Sequence, residues 1–72
     1  MAKKKSYLVD ESRNGHRIRA WTSTLSNTVE IWDSPDAVGD PKFSMTCPKT
    51  MRLDLEACIE KALYTFCNAD PN

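Results

Sequence analysis

The stretch RNGHRIRAW, residues 13–21, opens on Asn14-Gly15, the strongest short hairpin signal a sequence offers. A two-residue type I′ turn needs φ > 0 at both central positions, and Asn and Gly take that conformation at least cost. Beyond the turn, Arg17, Arg19 and Trp21 alternate with Ile18 and Ala20. A period of two marks a strand with one apolar and one polar face. This one stretch therefore implies a hairpin, a register and two chemically different faces.

Working outward, Arg13 opposite His16 puts Val9 opposite Ala20, Asp10 opposite Arg19 and Leu8 opposite Trp21. The Asp10–Arg19 pair matches opposite charges across the ladder, which supports the same register. The first strand is expected over residues 6–12 and its return over 16–23. A third, TVEIWD, follows at residues 28–33. A two-residue turn at Ser26-Asn27 sets Trp32 opposite Trp21, whereas a four-residue turn over 24–27 sets Trp32 opposite Arg19. Either register leaves Trp21 and Trp32 on the same face.

SPDAVGDP, residues 34–41, reads as loop, rich in Pro, Gly and Asp. KFSMTC, residues 42–47, alternates again and is expected as a short fourth strand ended by Pro48. The last element is a helix over residues 51–68, with Thr50 as N-cap. Its apolar stripe is Leu55, Ile59, Ala62, Leu63 and Phe66, with Cys58 at the edge. The expectation is an α+β fold: an antiparallel three- to four-stranded β-sheet with one C-terminal α-helix packed on one face. Residues 1–5 form a basic tail, 6–68 the domain and 69–72 a C-terminal tail.

One helix cannot cover both faces of its own sheet. The aliphatic face of Tyr7, Val9, Ile18, Ala20, Val29, Ile31, Phe43 and Met45 matches the helix stripe. The other carries Leu8, Asp10, Arg17, Arg19, Trp21, Glu30 and Trp32. Trp and Arg are enriched at interface hot spots, so Trp21, Trp32, Arg19, Arg17, Leu8 and Glu30 are the expected partner-binding residues.

Composition narrows the partner. Net charge is zero, but residues 1–19 hold six basic against two acidic residues, and residues 20–72 hold four against eight. A dedicated DNA-binding domain is usually basic throughout, so the balance favours a protein. The expected activity is a small non-enzymatic module, a regulator or inhibitor, that binds a larger protein or forms a homodimer. The alternative is a nucleic-acid module using Lys3, Lys4, Lys5, Arg17, Arg19 and Trp21, with bases stacked on the ring and phosphates on the cations. In element order the chain resembles the arm-binding domains of phage integrases, plant AP2 domains and whirly-type single-strand binders. In size and self-contained build it resembles phage-encoded inhibitors of host defence or transcription.

Catalysis and cofactors find little footing. His16 is the single histidine and flanks the hairpin tip, and neither a Gly-x-Ser-x-Gly elbow nor a Gly-rich phosphate loop occurs. Asp33, Asp36 and Asp40 lack the spacing of a calcium loop and read as solvated turn residues. Cys47, Cys58 and Cys67 are odd in number and form no Cys-x-x-Cys pair. Cys58 and Cys67 fall on opposite sides of a helix. They are therefore expected as free thiols without metal, in a reducing, cytoplasmic setting. Behind the lysines only Tyr7-Leu8-Val9 is apolar, so neither a secretory signal nor a membrane span is expected. A core of this size yields about 3–5 kcal/mol; with disulfides and zinc set aside, oligomerisation or a partner is left to add stability.

Overall fold

A computed structural model of the chain describes residues 7–68. The elements are β1 (Val9–Arg13), β2 (His16–Thr22), β3 (Ser26–Trp32), β4 (Phe43–Pro48), one turn of 3-10 helix (Lys49–Met51) and α1 (Leu55–Cys67). The strands form one antiparallel sheet in the order β1-β2-β3-β4. Helix α1 lies on one face, chiefly over β3 with β4 and β2 at its flanks. The α+β architecture is the expected one. Both terminal tails, with Lys3, Lys4 and Lys5, lie outside the described residues.

The first hairpin forms as its turn residues dictate. Asn14 has φ 53° and Gly15 φ 81°, and the ladder runs from Arg13↔His16 to Val9↔Ala20, with Asp10 opposite Arg19. The strand begins later than expected. The Leu8 amide donates to the Ala20 carbonyl at 2.9 Å instead of extending the ladder to Trp21. A ladder that takes in an extra residue loses its alternation there. Tyr7 consequently sits against Trp21 on the outer face, not in the core.

Neither expected β2–β3 register occurs. The turn has two residues but lies at Thr24-Leu25, closed by the Ser23 amide donating to the Ser26 carbonyl at 2.8 Å. The Ser23 hydroxyl donates to the same carbonyl at 3.1 Å and accepts from the Ser26 amide at 3.3 Å. The pairs are Thr22↔Asn27, Trp21↔Thr28, Arg19↔Glu30 and Arg17↔Trp32. Asn27, assigned above to the turn, is buried in the strand. Its Nδ2 donates to the Leu53 carbonyl at 3.1 Å, and its Oδ1 accepts from the Thr22 hydroxyl. The bond to Leu53 holds β3 to the segment leading into α1, and the bond from Thr22 ties β3 to β2. The parity argument survives the shift, because Trp21 and Trp32 still share a face.

The helix also starts later than expected. Arg52 adopts a left-handed conformation, φ 60°, which ends the 3-10 turn. Asp54 rather than Thr50 then caps α1, its Oδ1 accepting from the Ala57 amide at 2.8 Å. An Asp at this position satisfies an orphan amide and suits the positive end of the helix. The core between helix and sheet is Ile18, Ala20, Val29, Ile31, Cys47, Cys58, Ile59 and Ala62, all buried. Val9, Phe43, Met45, Leu53, Leu55, Leu63 and Phe66 close its margins. Cys58, expected at the stripe's edge, is fully buried.

Candidate functional site

The face opposite α1 is built from β1 to β4 by alternation. Asp10 and Ser12 come from β1, Arg17, Arg19 and Trp21 from β2, Thr28, Glu30 and Trp32 from β3, and Ser44 and Thr46 from β4. Asp10 is its electrostatic centre. Its Oδ1 accepts from Arg17 Nε at 2.7 Å, lies 2.7 Å from Arg17 Nη2, and accepts from Arg19 Nε at 3.2 Å. Desolvation pushes the Asp10 carboxyl up, but the hydrogen bonds and charges of Arg17 and Arg19 outweigh it. The group is held below the usual carboxylate range. Asp10 in turn pushes the Arg19 guanidinium further up.

Aromatic rings continue from this cluster. The Arg19 guanidinium carbon lies 5.0 Å from the centroid of the Tyr7 ring and 5.5 Å from that of Trp32, within cation–π range. Tyr7 meets Trp21 edge to face, with centroids 5.6 Å apart and planes at 69°. Trp21, Tyr7, Arg19 and Trp32 thus form a continuous stack across the sheet. Tyr7 was missed by strict alternation, and a slipped strand end leaves no mark in sequence.

Trp32 corrects the expectation of an open tryptophan pair. It is only 6% exposed, and its Nε1 donates to the Gly39 carbonyl at 3.0 Å. The loop over residues 34–41 is pinned back at both ends. The Arg17 amide donates to the Ser34 carbonyl at 2.8 Å, and the Lys42 amide to the Ile31 carbonyl at 2.9 Å. What looked like a solvated turn is also a cover for Trp32. Trp21, by contrast, is partly exposed, as are Arg17, Arg19 and Glu30. Leu8 is 63% exposed at the start of the sheet.

The remaining candidates lie elsewhere. His16 is on the helix side, edge to face with Phe66 at 5.3 Å. Its Nδ1 lies 3.3 Å from Asp33 Oδ1 without forming an aligned hydrogen bond. Asp33, Asp36 and Asp40 are exposed. No enclosed pocket and no metal-holding group of His, Cys, Asp or Glu occurs among the described residues. No helix among them is long and apolar enough to cross a membrane. No family model, curated protein or solved structure matches the chain.

Proposed function

We propose that this chain is a small non-enzymatic binding module whose outer sheet face, centred on Trp21, Tyr7 and Arg19, contacts another protein. A regulator or inhibitor of a larger cytoplasmic protein would act through such a surface. The observation that carries the reading is how the arginines are held. Arg17 and Arg19 both turn onto Asp10, and Arg19 also stacks on rings. With Glu30 beside Arg19, the face carries two arginines against two carboxylates. A surface for polyphosphate would leave its cations open to the ligand. This one presents ring area and arginine stems with balanced charge, the composition of a protein-contact centre.

The correction at Trp32 reshapes the contact residues. Trp21, Tyr7, Arg19 and Arg17 form its middle, with Glu30 opposite Arg19; Leu8, which leaves the ladder, drops out. Trp32 is the support beneath Arg19. Truncating an aromatic hot spot costs about 2 kcal/mol or more, roughly thirtyfold in affinity. The test is quantitative co-purification from cells expressing the wild-type chain, Trp21→Ala or Arg19→Ala, followed by binding measurements on the purified pair. Self-association by light scattering and titration with bulk DNA at two salt concentrations accompany it. A partner or second copy held about thirtyfold less tightly by folded Trp21→Ala is the expected result. Equal binding by all three chains would remove the outer face. DNA binding that falls steeply with salt would replace the protein reading with the nucleic-acid one.

A further inference from the structure

The core contains a feature that packing does not explain. Cys47, near the end of edge strand β4, and Cys58, in the second turn of α1, bring their sulfurs to 2.7 Å. Both are free thiols here, and both are buried. A disulfide bond is about 2.05 Å long, so well under 1 Å of approach separates this contact from a covalent bond. Read in sequence, three cysteines form no framework. Folded, they sort into an adjacent buried pair and one exposed residue, Cys67.

We propose that Cys47 and Cys58 are a site of reversible oxidation that closes to an intramolecular disulfide, tying the edge strand to the helix. The oxidant is a low-molecular-weight disulfide. One cysteine, as its thiolate, attacks the small disulfide, forming a mixed disulfide and releasing one small thiol. The other cysteine, also losing its proton, attacks the protein sulfur of that mixed disulfide and expels the second small thiol. The two protein thiols lose two electrons and two protons, and the small disulfide is reduced to two thiols.

The surroundings suit a closed bond better than a reactive thiol. Burial pushes the Cys58 thiol up to about 12, with the hydrogen bond to Cys47 adding to it. At neutral pH Cys58 is therefore protonated, a poor nucleophile and a poor metal ligand. Exchange runs through opening of the segment between β4 and α1, whose residues 49–52 are exposed. Once formed, the bond lies in the apolar core, and a reductant reaches it through the same opening. The loop it closes spans residues 47–58, so it restrains the unfolded chain and raises the melting temperature by roughly 10–20 °C. A small core gains much from one such staple.

The test uses the full chain carrying Cys67→Ser, which removes the exposed thiol and leaves the pair alone. The protein is held in glutathione buffers of increasing oxidised fraction until its intact mass stops changing. The expected product is a monomer lighter by two hydrogens, with a peptide linking Cys47 to Cys58 and a higher melting temperature. Addition of dithiothreitol restores the original mass. The same chain with Cys58→Ala should lose no hydrogens. Persistence of both thiols in every buffer, glutathione adducts in place of the internal bond, or disulfide-linked dimers would each overturn the proposal.

Discussion

On the helix side of the sheet, Ile18, Ala20, Val29 and Ile31 are fully buried against Ile59 and Ala62. On the opposite side, Arg17, Arg19 and Trp21 stay partly open, and order comes from Asp10 and from ring contacts. The same strands supply both faces, so backbone conformation does not distinguish them. The helix side gains from removing apolar area from water, a non-directional force. The outer side is organised by directional contacts that remain within reach of solvent, each worth little to stability. A surface arranged this way keeps its shape without sealing itself, as the proposed contact face would require.

Trp32 marks where that division fails, and the largest expected effect lies there. It occupies an outer-face position but is buried beneath the loop over 34–41. Trp32→Ala should destabilise by about 3–5 kcal/mol, the range for burying and then losing a large aromatic ring. On the helix side, Ile59→Ala should cost about 2–5 kcal/mol. Trp21→Ala, although on the same face as Trp32, should change stability by less than about 1 kcal/mol. Urea titration of the three variants gives the ranking. Equal losses for Trp21→Ala and Trp32→Ala would erase the distinction between contact residue and loop support.

The parts legible in sequence and the parts that were not divide along physical lines. Asn14-Gly15 announced the hairpin because its backbone angles admit few other residue types. Ile18, Ala20, Val29 and Ile31 announced the core by alternation. Less visible were features that depend on one extra residue or a returning loop. Thr24-Leu25 has no strong turn chemistry, so the β2–β3 register could not be read. Leu8 leaves the ladder and carries Tyr7 to the other face. The Gly39 carbonyl meets the Trp32 indole only because the intervening loop folds back, a long-range fact with no local pattern. The helix start misled for a similar reason: Thr50 and Asp54 are both sound caps in isolation. The left-handed backbone at Arg52 decides between them.

A smaller effect tests how the hairpin joins the helix side. Arg13 donates to both carboxylate oxygens of Glu56 in α1, at 2.9 and 3.3 Å, and also to Glu11. The bonds to Glu56, then those to Glu11, push the Arg13 guanidinium further above its ordinary range, so it stays charged throughout. This forked pair is the polar tie between the tip of the first hairpin and the helix. Its side chains are partly exposed, so Arg13→Ala should cost only about 0.5–1 kcal/mol. The loss should shrink at high salt, where exposed pairs are screened. A salt-independent loss would mean that the half-buried stem of Arg13 matters more than its charge.

The smallest effect belongs to the outer face and carries a definite sign. Asp10 titrates below the ordinary Asp value of about 3.9 because Arg17 and Arg19 hold its charged form. Its folded-state value lies below its unfolded one, so the unfolded chain binds the proton more readily. The stabilisation is therefore complete above the unfolded value and is lost as pH falls through the lower, folded one. Asp10→Asn keeps the shape and removes the titration. The stability difference between wild type and Asp10→Asn should be flat from about pH 7 to 5, then narrow as pH falls below about 4. Denaturant titrations across that interval measure it directly. Protonation also leaves Arg17 and Arg19 without their shared carboxylate, so both the acidified wild type and Asp10→Asn should bind bulk DNA more strongly than wild type at pH 7. If the variant instead follows wild type at every pH, the arginines are held by the rings and the loop, and Asp10 is not the centre of the face.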